Sequence, residues 1–259
     1  MKHSFYKYQG TGNDFIIIDN RLGIFDKNNA RLVASLCDRR FGIGADGLIL
    51  LEDHDTMDFR MVYFNSDGHQ SSMCGNGGRC IVAFAKRLGL IDTKASFEAI
   101  DGPHYATIDF NGTVSLNMKD VSGVENFPKH MFLDTGSPHH VQMVHDINNL
   151  NVKNVGANIR YGDLYDDAGS NVNFVEKFDT GFRIRTYERG VEDETLSCGT
   201  GATAVALAMF SSGASSDKEI TLVTNGGDLK VRFTPYGEGF KEVWLIGPAE
   251  FVFKGEVTW

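Results

Sequence analysis

Two short runs of this chain are near copies of each other: Cys-Gly-Asn-Gly at residues 74–77 and Cys-Gly-Thr-Gly at residues 198–201. They lie 124 positions apart (198 − 74) in a chain of 259 residues. A further match, between residues 59–65 and 182–188, has almost the same offset. A repeat of this length is too long for a solenoid and predicts two domains of one ancestral type.

Each cysteine run opens an apolar segment. After Cys74, apolar residues recur at helical spacing until Gly89, where a helix is expected to end. No charged residue occurs between Gly199 and Ser216. A helix over about 201–210 would therefore be apolar on every side, and the rest of its domain must cover it.

Most of the remaining signals are typical of strands. Short buried strands are expected at 15–19 and 48–51, and two strands at 105–110 and 113–118 flank Asn111-Gly112, a two-residue hairpin signal. One further helix is expected at 29–40. The predicted fold is α+β: two pseudo-symmetric domains, 1–118 and 119–248, each a curved, barrel-like, mainly antiparallel sheet around a central helix.

Composition excludes several classes of protein. The net charge of −9 and pI near 5.3 argue against nucleic-acid or anionic-membrane surfaces. No run approaches the ~20 apolar residues of a membrane span. Residues 1–14 lack the apolar core of a signal peptide. With four cysteines and no tight pairing, we expect a cytoplasmic location.

Two cysteines at helix N-termini predict a specific chemistry. The helix dipole lowers the pKa of a thiol from its usual value of ~8.5. First-turn N–H groups bind carboxylates. If both turns held one carboxylate in a cleft between the domains, a thiol would lie on each side of its α-carbon. One sulfur would remove the α-proton and the other would return a proton, which is two-base racemisation or epimerisation without a cofactor.

Other interpretations of the cysteines are weaker. Cys37 and Cys80 lack the repeat and are expected to be buried structural residues. No Cys-x-x-Cys pair occurs, so a zinc site or a redox dithiol is not indicated, and no metal is expected. A single Cys–His nucleophile would leave the duplicate cysteine unexplained. A regulatory disulfide between distant cysteines remains an alternative.

The chain resembles the diaminopimelate epimerase family over essentially its whole length. The resemblance rests on motifs that include Gly-Asn-Asp-Phe (12–15), Asn-Ser-Asp-Gly (65–68), Tyr-Glu-Arg-Gly (187–190) and both cysteine runs. That family interconverts LL- and meso-2,6-diaminopimelate in lysine and peptidoglycan precursor biosynthesis, without pyridoxal phosphate. The resemblance also implies a homodimer, an active site in the interdomain cleft, and a last strand, about 249–259, that returns to the first domain.

The resemblance also implies roles for individual residues. Cys74 and Cys198 would be the acid–base pair, with His139 and Glu188 as their polar partners. The substrate would be bound by two backbone pairs and a set of side chains: Gly75, Asn76, Gly199 and Thr200, with Asn13, Asn65, Asn171, Glu188 and Arg189. Arg189 suits the distal carboxylate of the substrate, since a guanidinium binds a carboxylate bidentately. Taken alone, any one of the asparagines is equally typical of a turn or a cap.

Three departures from the family pattern stand out. Ser137 stands where many members have an asparagine, Gly47 stands where some have a glutamine, and the loop between Gly190 and Cys198 is one residue longer than usual. Two other functions remain in competition. One is a proline or hydroxyproline racemase-type enzyme, against which Asn76 and Ser197 argue. The other is a non-catalytic amino-acid-binding protein, which would have no use for two thiols.

Overall fold

The computed structural model describes residues 2–259, which form two compact units. Unit 1 comprises the residues up to Leu116 together with Gly247–Trp259, and unit 2 comprises Asn117–Ile246. Strands and helices are numbered along the chain.

Unit 1 is built from a sheet and two helices. Its helices are α1 (Ala30–Cys37) and α2 (Gly75–Arg87). Its strands are β1 (Lys2–Gly10), β2 (Asn13–Asp19), β3 (Gly47–Glu52), β4 (Phe59–Asn65), β5 (Lys94–Ala99), β6 (Gly102–Ile108), β7 (Val114–Asn117), which ends at the unit boundary, and β17 (Glu250–Thr258).

Unit 2 is likewise built from strands and a few helices. Its helices are α3 (Val152–Arg160), α4 (Gly199–Ser211) and a 3-10 turn, Ile147–Asn149. Its strands are β8 (Glu125–Asn126), β9 (Met131–Asp134), β10 (Pro138–Met143), β11 (Asn171–Phe178), β12 (Gly181–Glu188), β13 (Asp193–Thr195), β14 (Glu219–Thr224), β15 (Gly227–Tyr236) and β16 (Gly239–Gly247).

Strand pairing follows the same order in both units. In unit 1, β1 to β7 pair successively as antiparallel, parallel, antiparallel, parallel, antiparallel and antiparallel. In unit 2 the same series runs through β9, β10, β11, β12, β14, β15 and β16. Strand β17 adds to unit 1 by pairing antiparallel with β1. The mainly antiparallel α+β class is confirmed.

One helix in each unit packs against strands of its own sheet. Helix α2 packs against β1, β2, β3, β6 and β17, and α4 against β9, β10, β11, β12, β14 and β15. Every residue of α4 from Gly201 to Met209 is buried, as its lack of charge predicts. No helix within residues 2–259 has the length and apolar character needed to cross a membrane.

The predicted hairpin around Asn111-Gly112 forms, because β6 and β7 pair antiparallel, but its predicted two-residue turn is wrong. Strand β6 ends at Ile108 and β7 begins at Val114, so five residues connect them. The Asp109 carboxylate accepts the N–H groups of Asn111 and Thr113. Because the side chain takes these donors, they do not join the ladder, and the turn widens.

The helices also differ from the predictions in part. Helix α1 ends at Cys37, short of the predicted residue 40, because the Asp38 carboxylate accepts the N–H groups of Arg40 and Phe41. Helix α3 was not predicted. Its N-cap is Asn151, whose side chain accepts the N–H of Asn154, a local signal that sequence reasoning missed.

Candidate active site

Cys74 occupies the N-cap of α2 in an extended conformation, and its side chain makes no capping hydrogen bond. Its sulfur donates instead to Asn13 Oδ1, at 3.6 Å. The buried Asn76 donates through Nδ2 to the same oxygen at 3.2 Å. The first turn of α2 therefore brings together three of the predicted site residues.

The orientation of Asn13 is set by a network of charges. Asn13 Nδ2 donates to Asp46 Oδ2 at 2.7 Å, which turns Oδ1 toward Cys74. Asp46 pairs with Arg39, which also pairs with Asp14. Burial acts to raise the pKa of Asp14, but hydrogen bonds from Arg39 and Lys7 outweigh it and lower that pKa to about 2. Asp14 is therefore ionised and pairs with both Lys7 and Arg39.

Arg79, one turn into α2, is a site residue that sequence reasoning missed. It is completely buried, and it donates to three neutral acceptors: Pro248 O, Gly75 O and Thr11 Oγ1. It has no ion pair with a carboxylate in the part of the chain that the structure describes. Burial lowers the pKa of its guanidinium, and the nearby Cys80 and Cys74 oppose that shift. The available signal was an arginine directly before the apolar run Cys80–Ala85, far from the Lys86 and Arg87 that end the helix.

Cys198 occupies the N-cap of α4, but its hydrogen bonding differs from that of Cys74. Its sulfur accepts the N–H of Gly201 at 3.4 Å and lies 3.4 Å from Thr200 Oγ1. The Thr200 carbonyl accepts the Thr135 hydroxyl at 3.1 Å, which anchors the turn to unit 2. Gly199 is buried. The thiol thus lies among the donors of the first helical turn.

His139 lies on β10 and is completely buried. Its Nδ1 is 3.1 Å from Asn173 Nδ2, and its Nε2 has no hydrogen-bond partner within residues 2–259. Burial, together with the charge of Arg189, lowers the pKa of His139 to about 3. The imidazole is therefore neutral at physiological pH.

Glu188 ends β12, and the lengthened loop reaches it. This loop contains β13, which pairs with β12 and places Thr195 so that its hydroxyl donates to Glu188 Oε2 at 3.0 Å. The loop also contains a left-handed residue, Glu192, whose φ is +59°. The longer loop therefore orients the Glu188 carboxylate.

Asn171 holds Arg189 in place through the backbone. Its Oδ1 accepts the backbone N–H of Arg189 at 2.9 Å. Its Nδ2 donates to Ser137 Oγ at 2.9 Å and to Pro138 O at 3.1 Å. The guanidinium of Arg189 donates to Ala168 O. Ser137, one of the departures from the family pattern, is thus a partner of Asn171.

Asn65 and Gly47 have mainly structural surroundings. The backbone of Asn65 closes a turn, since its carbonyl accepts the N–H of Gly68 and its own N–H donates to His69 O. Its side chain is exposed. A Cβ at Gly47 would lie 2.5 Å from a ring carbon of Tyr63, so the tyrosine fills the space that a larger side chain would need.

The predicted residues are divided between the two units. Unit 1 holds Asn13, Asn65, Cys74, Gly75 and Asn76, and unit 2 holds His139, Asn171, Glu188, Arg189, Cys198, Gly199 and Thr200. Cys37 and Cys80 are buried, and burial raises the pKa of each thiol to about 12, which makes both inert. No metal-binding group of three or more His, Cys, Asp or Glu side chains occurs among residues 2–259.

Comparisons with known proteins agree on one family. The family model for diaminopimelate epimerase matches residues 5–124 and 131–252. A diaminopimelate epimerase of Flavobacterium psychrophilum is 61% identical over 250 residues, covering 96% of this chain and 98% of that protein. One from Chlorobaculum tepidum is 43% identical over 270 residues, covering 96% and 99%.

Solved structures show the same fold at low sequence identity. A PhzF-family phenazine biosynthesis protein from Bacillus anthracis has a TM-score of 0.79 at 15% identity and covers 100% of this chain and 99% of its own. A probable proline racemase from Agrobacterium radiobacter has a TM-score of 0.71 at 14% identity, covering 98% and 92%. From the family match and the close relatives together, the chain belongs to the diaminopimelate epimerase family.

Proposed function

We propose that this isomerase interconverts LL- and meso-2,6-diaminopimelate by proton transfer between Cys74 and Cys198. The observation that carries the proposal is the duplicated site: each cysteine is the N-cap of a glycine-rich helix. Membership of the family supplies the substrate, and the helix N-termini supply the chemistry.

The reacting carboxylate would be bound by the backbone of both first turns, through Gly75 and Asn76 on one side and Gly199 and Thr200 on the other. Helix geometry directs first-turn N–H groups away from the helix, where they bind anions. These donors stabilise the carboxylate more strongly as charge moves onto it in the transition state. Binding and catalysis therefore use the same N–H groups.

The proton transfer requires the two sulfurs to reach opposite faces of the α-carbon. One enters as a thiolate and takes the α-proton, and the bonding electrons pass into the carboxylate to form an enediolate. The other enters as a thiol and delivers its proton to the opposite face, so the stereocentre inverts. The two cysteines leave with exchanged protonation states, and the reverse reaction begins from that state.

Residues of unit 2 would recognise the rest of the substrate. Arg189, positioned by Asn171, supplies a guanidinium for the distal carboxylate. Glu188, oriented by Thr195, and the neutral His139 are polar partners for the thiols and the substrate. Asn13 and Asn65 would complete the contacts from unit 1. We further propose a homodimer that acts in the cytoplasm, without a cofactor, in lysine and peptidoglycan precursor synthesis.

Substrate specificity is the direct test. Incubation with LL-diaminopimelate in D2O should give inversion with deuterium at one α-carbon, detected by NMR and chiral chromatography, and L-proline under the same conditions should remain unlabelled. Labelling of proline alone would identify a proline racemase-type enzyme instead. Labelling of neither, with saturable binding of diaminopimelate by calorimetry, would identify an amino-acid-binding protein.

A further inference from the structure

Asn173 is a buried polar residue in the middle of β11, between Val172 and Phe174. Its Nδ2 lies 2.9 Å from the His140 carbonyl oxygen, and its Oδ1 lies 3.0 Å from the hydroxyl of Thr186. A carbonyl oxygen accepts hydrogen bonds but cannot donate them. The amide must therefore present its NH2 group to His140, and its orientation is fixed.

The same NH2 group faces the imidazole of His139. Asn173 Nδ2 is 3.1 Å from His139 Nδ1, and both atoms are completely buried. Because the amide nitrogen only donates, Nδ1 must accept, and it carries no proton. A neutral imidazole has a single N–H, so the proton of His139 is on Nε2.

The buried Nε2–H has no acceptor in the part of the chain that the structure describes. An unsatisfied buried donor costs about 1–3 kcal/mol, so such a group is seldom kept without a purpose. Protonation of Nδ1 would set two N–H groups against each other. The surroundings of His139 therefore favour a proton on Nε2. They oppose a proton on Nδ1, and so they also oppose an imidazolium.

We propose that Asn173 is a positioning residue that locks His139 in the Nε2–H tautomer, so that His139 is a permanent hydrogen-bond donor to negative charge in the reacting complex. In this arrangement His139 does not exchange protons with the substrate, and both proton transfers belong to the cysteines. The role of His139 in this statement rests on the proposed function, whereas its tautomer does not.

The tautomer can be measured directly by 15N NMR of protein labelled at its histidines, with His139→Gln used to assign the His139 signals. We expect a protonated nitrogen at Nε2 and an unprotonated one at Nδ1, unchanged between pH 5 and pH 8. A proton on Nδ1, or an imidazolium in that range, would overturn the proposal whatever the enzyme's substrate is.

Two variants test whether Asn173 is the cause. Asn173→Leu, which keeps the branched side-chain skeleton, removes the donor and should allow the Nδ1–H tautomer to appear. The matched control is Thr186→Val, which removes the other hydrogen bond but leaves the amide oriented by the His140 carbonyl, and it should keep the Nε2–H form. An Asn173→Leu spectrum that still shows Nε2–H alone would refute the causal role.

Kinetics separate positioning from general structural damage. With diaminopimelate, Asn173→Leu should lower kcat about ten- to a hundredfold with little change in KM, the range known for residues that orient metal-binding histidines. In a His139→Gln background the same substitution should lower kcat by no more than about twofold, because its partner is already lost. Full additivity of the two substitutions would contradict action through His139.

Discussion

Helices α2 and α4 begin with nearly the same sequence, yet their N-termini place the two cysteines in different surroundings. Both helices have 13 residues and both start directly after the cysteine. Cys74 donates to Asn13, whereas Cys198 accepts from the first turn of its own helix. The repeat has therefore preserved the backbone of the site and changed the hydrogen bonding of its thiols.

The charge near the cysteine also differs between the two helices. Arg79 of α2 corresponds to Thr203 of α4 at the repeat offset of 124 (203 − 79). Arg79 brings a buried cation next to Cys74, whereas Thr203 is also buried but only donates to the Gly199 carbonyl at 3.0 Å. Under the proposed mechanism, the two cysteines act on different stereoisomers and need not be equally basic. The α2 site therefore has a buried positive charge that the corresponding position of α4 lacks.

Removal of the cation should have the largest effect on this difference. We expect Arg79→Met to slow alkylation of Cys74 by iodoacetamide at pH 7 about tenfold or more, because a nearby positive charge favours the thiolate. The rate would be followed by mass spectrometry in a Cys198→Ser background. Arg79→Lys, which keeps the charge, should retain most of the reactivity.

The matched measurement is the alkylation of Cys198 in a Cys74→Ser background. Arg79→Met should leave that rate unchanged. In the Cys198→Ser background, equal reactivity of Cys74 with and without Arg79→Met would show that the buried cation does not act on the thiol. Folding would be verified by circular dichroism.

The two units should also differ in how their stability changes at acidic pH. In unit 2, burial lowers the pKa of His139 to about 3 and that of His140 to about 4. The unfolded chain takes up these protons below pH ~6.5 and the folded unit does not, so each histidine should cost about 2 kcal/mol of stability by pH 5. In unit 1, Asp14 has a pKa of about 2, so its stabilisation is full above pH ~4 and is lost only below that.

Hydrogen exchange with mass spectrometry, corrected for intrinsic rates, can follow the two units separately. Between pH 6.5 and pH 4.5, protection should fall in β10 and β11 and should hold in β2 and β3. Earlier loss of protection in β2 and β3 would contradict the assignment of the acid-sensitive groups to unit 2.

The smallest effect is expected at Thr203. Thr203→Val removes one buried hydrogen bond to Gly199 with little change of volume and should lower the free energy of unfolding by about 1 kcal/mol in urea titration. The alkylation rate of Cys198 should not change, because Thr203 carries no charge. A change in that rate comparable to the effect of Arg79→Met on Cys74 would show that the two helix N-termini do not differ in how charge controls their thiols.

Sequence reasoning identified the features that are encoded locally. The cysteine-glycine runs and the apolar segments after them are contiguous, so both helix starts and the burial of α4 could be predicted. The hairpin around Asn111-Gly112 forms, but its turn is longer than predicted because the Asp109 side chain accepts the N–H groups of Asn111 and Thr113. That competition is decided by geometry that residue types alone do not specify.

The partners of the site residues could not be predicted in the same way. Arg79 binds the carbonyl of Pro248, which lies 169 positions away, and the orientation of Asn13 depends on Asp46, 33 positions away. Asn173 was not predicted to be a functional residue, although it is a polar residue between two apolar residues of a strand. Such pairings depend on which strands become neighbours, and a single sequence does not reveal that.

Whether two different groups remove and return the proton can be determined from where deuterium appears early in the reaction. In D2O, with LL-diaminopimelate converted by only a few turnovers per enzyme, the meso product should carry solvent deuterium while the recovered LL substrate stays unlabelled, and the same should hold in the reverse direction. Deuterium in recovered substrate before it appears in product, or product that keeps the original proton, would mean that a single base serves both faces of the carbon.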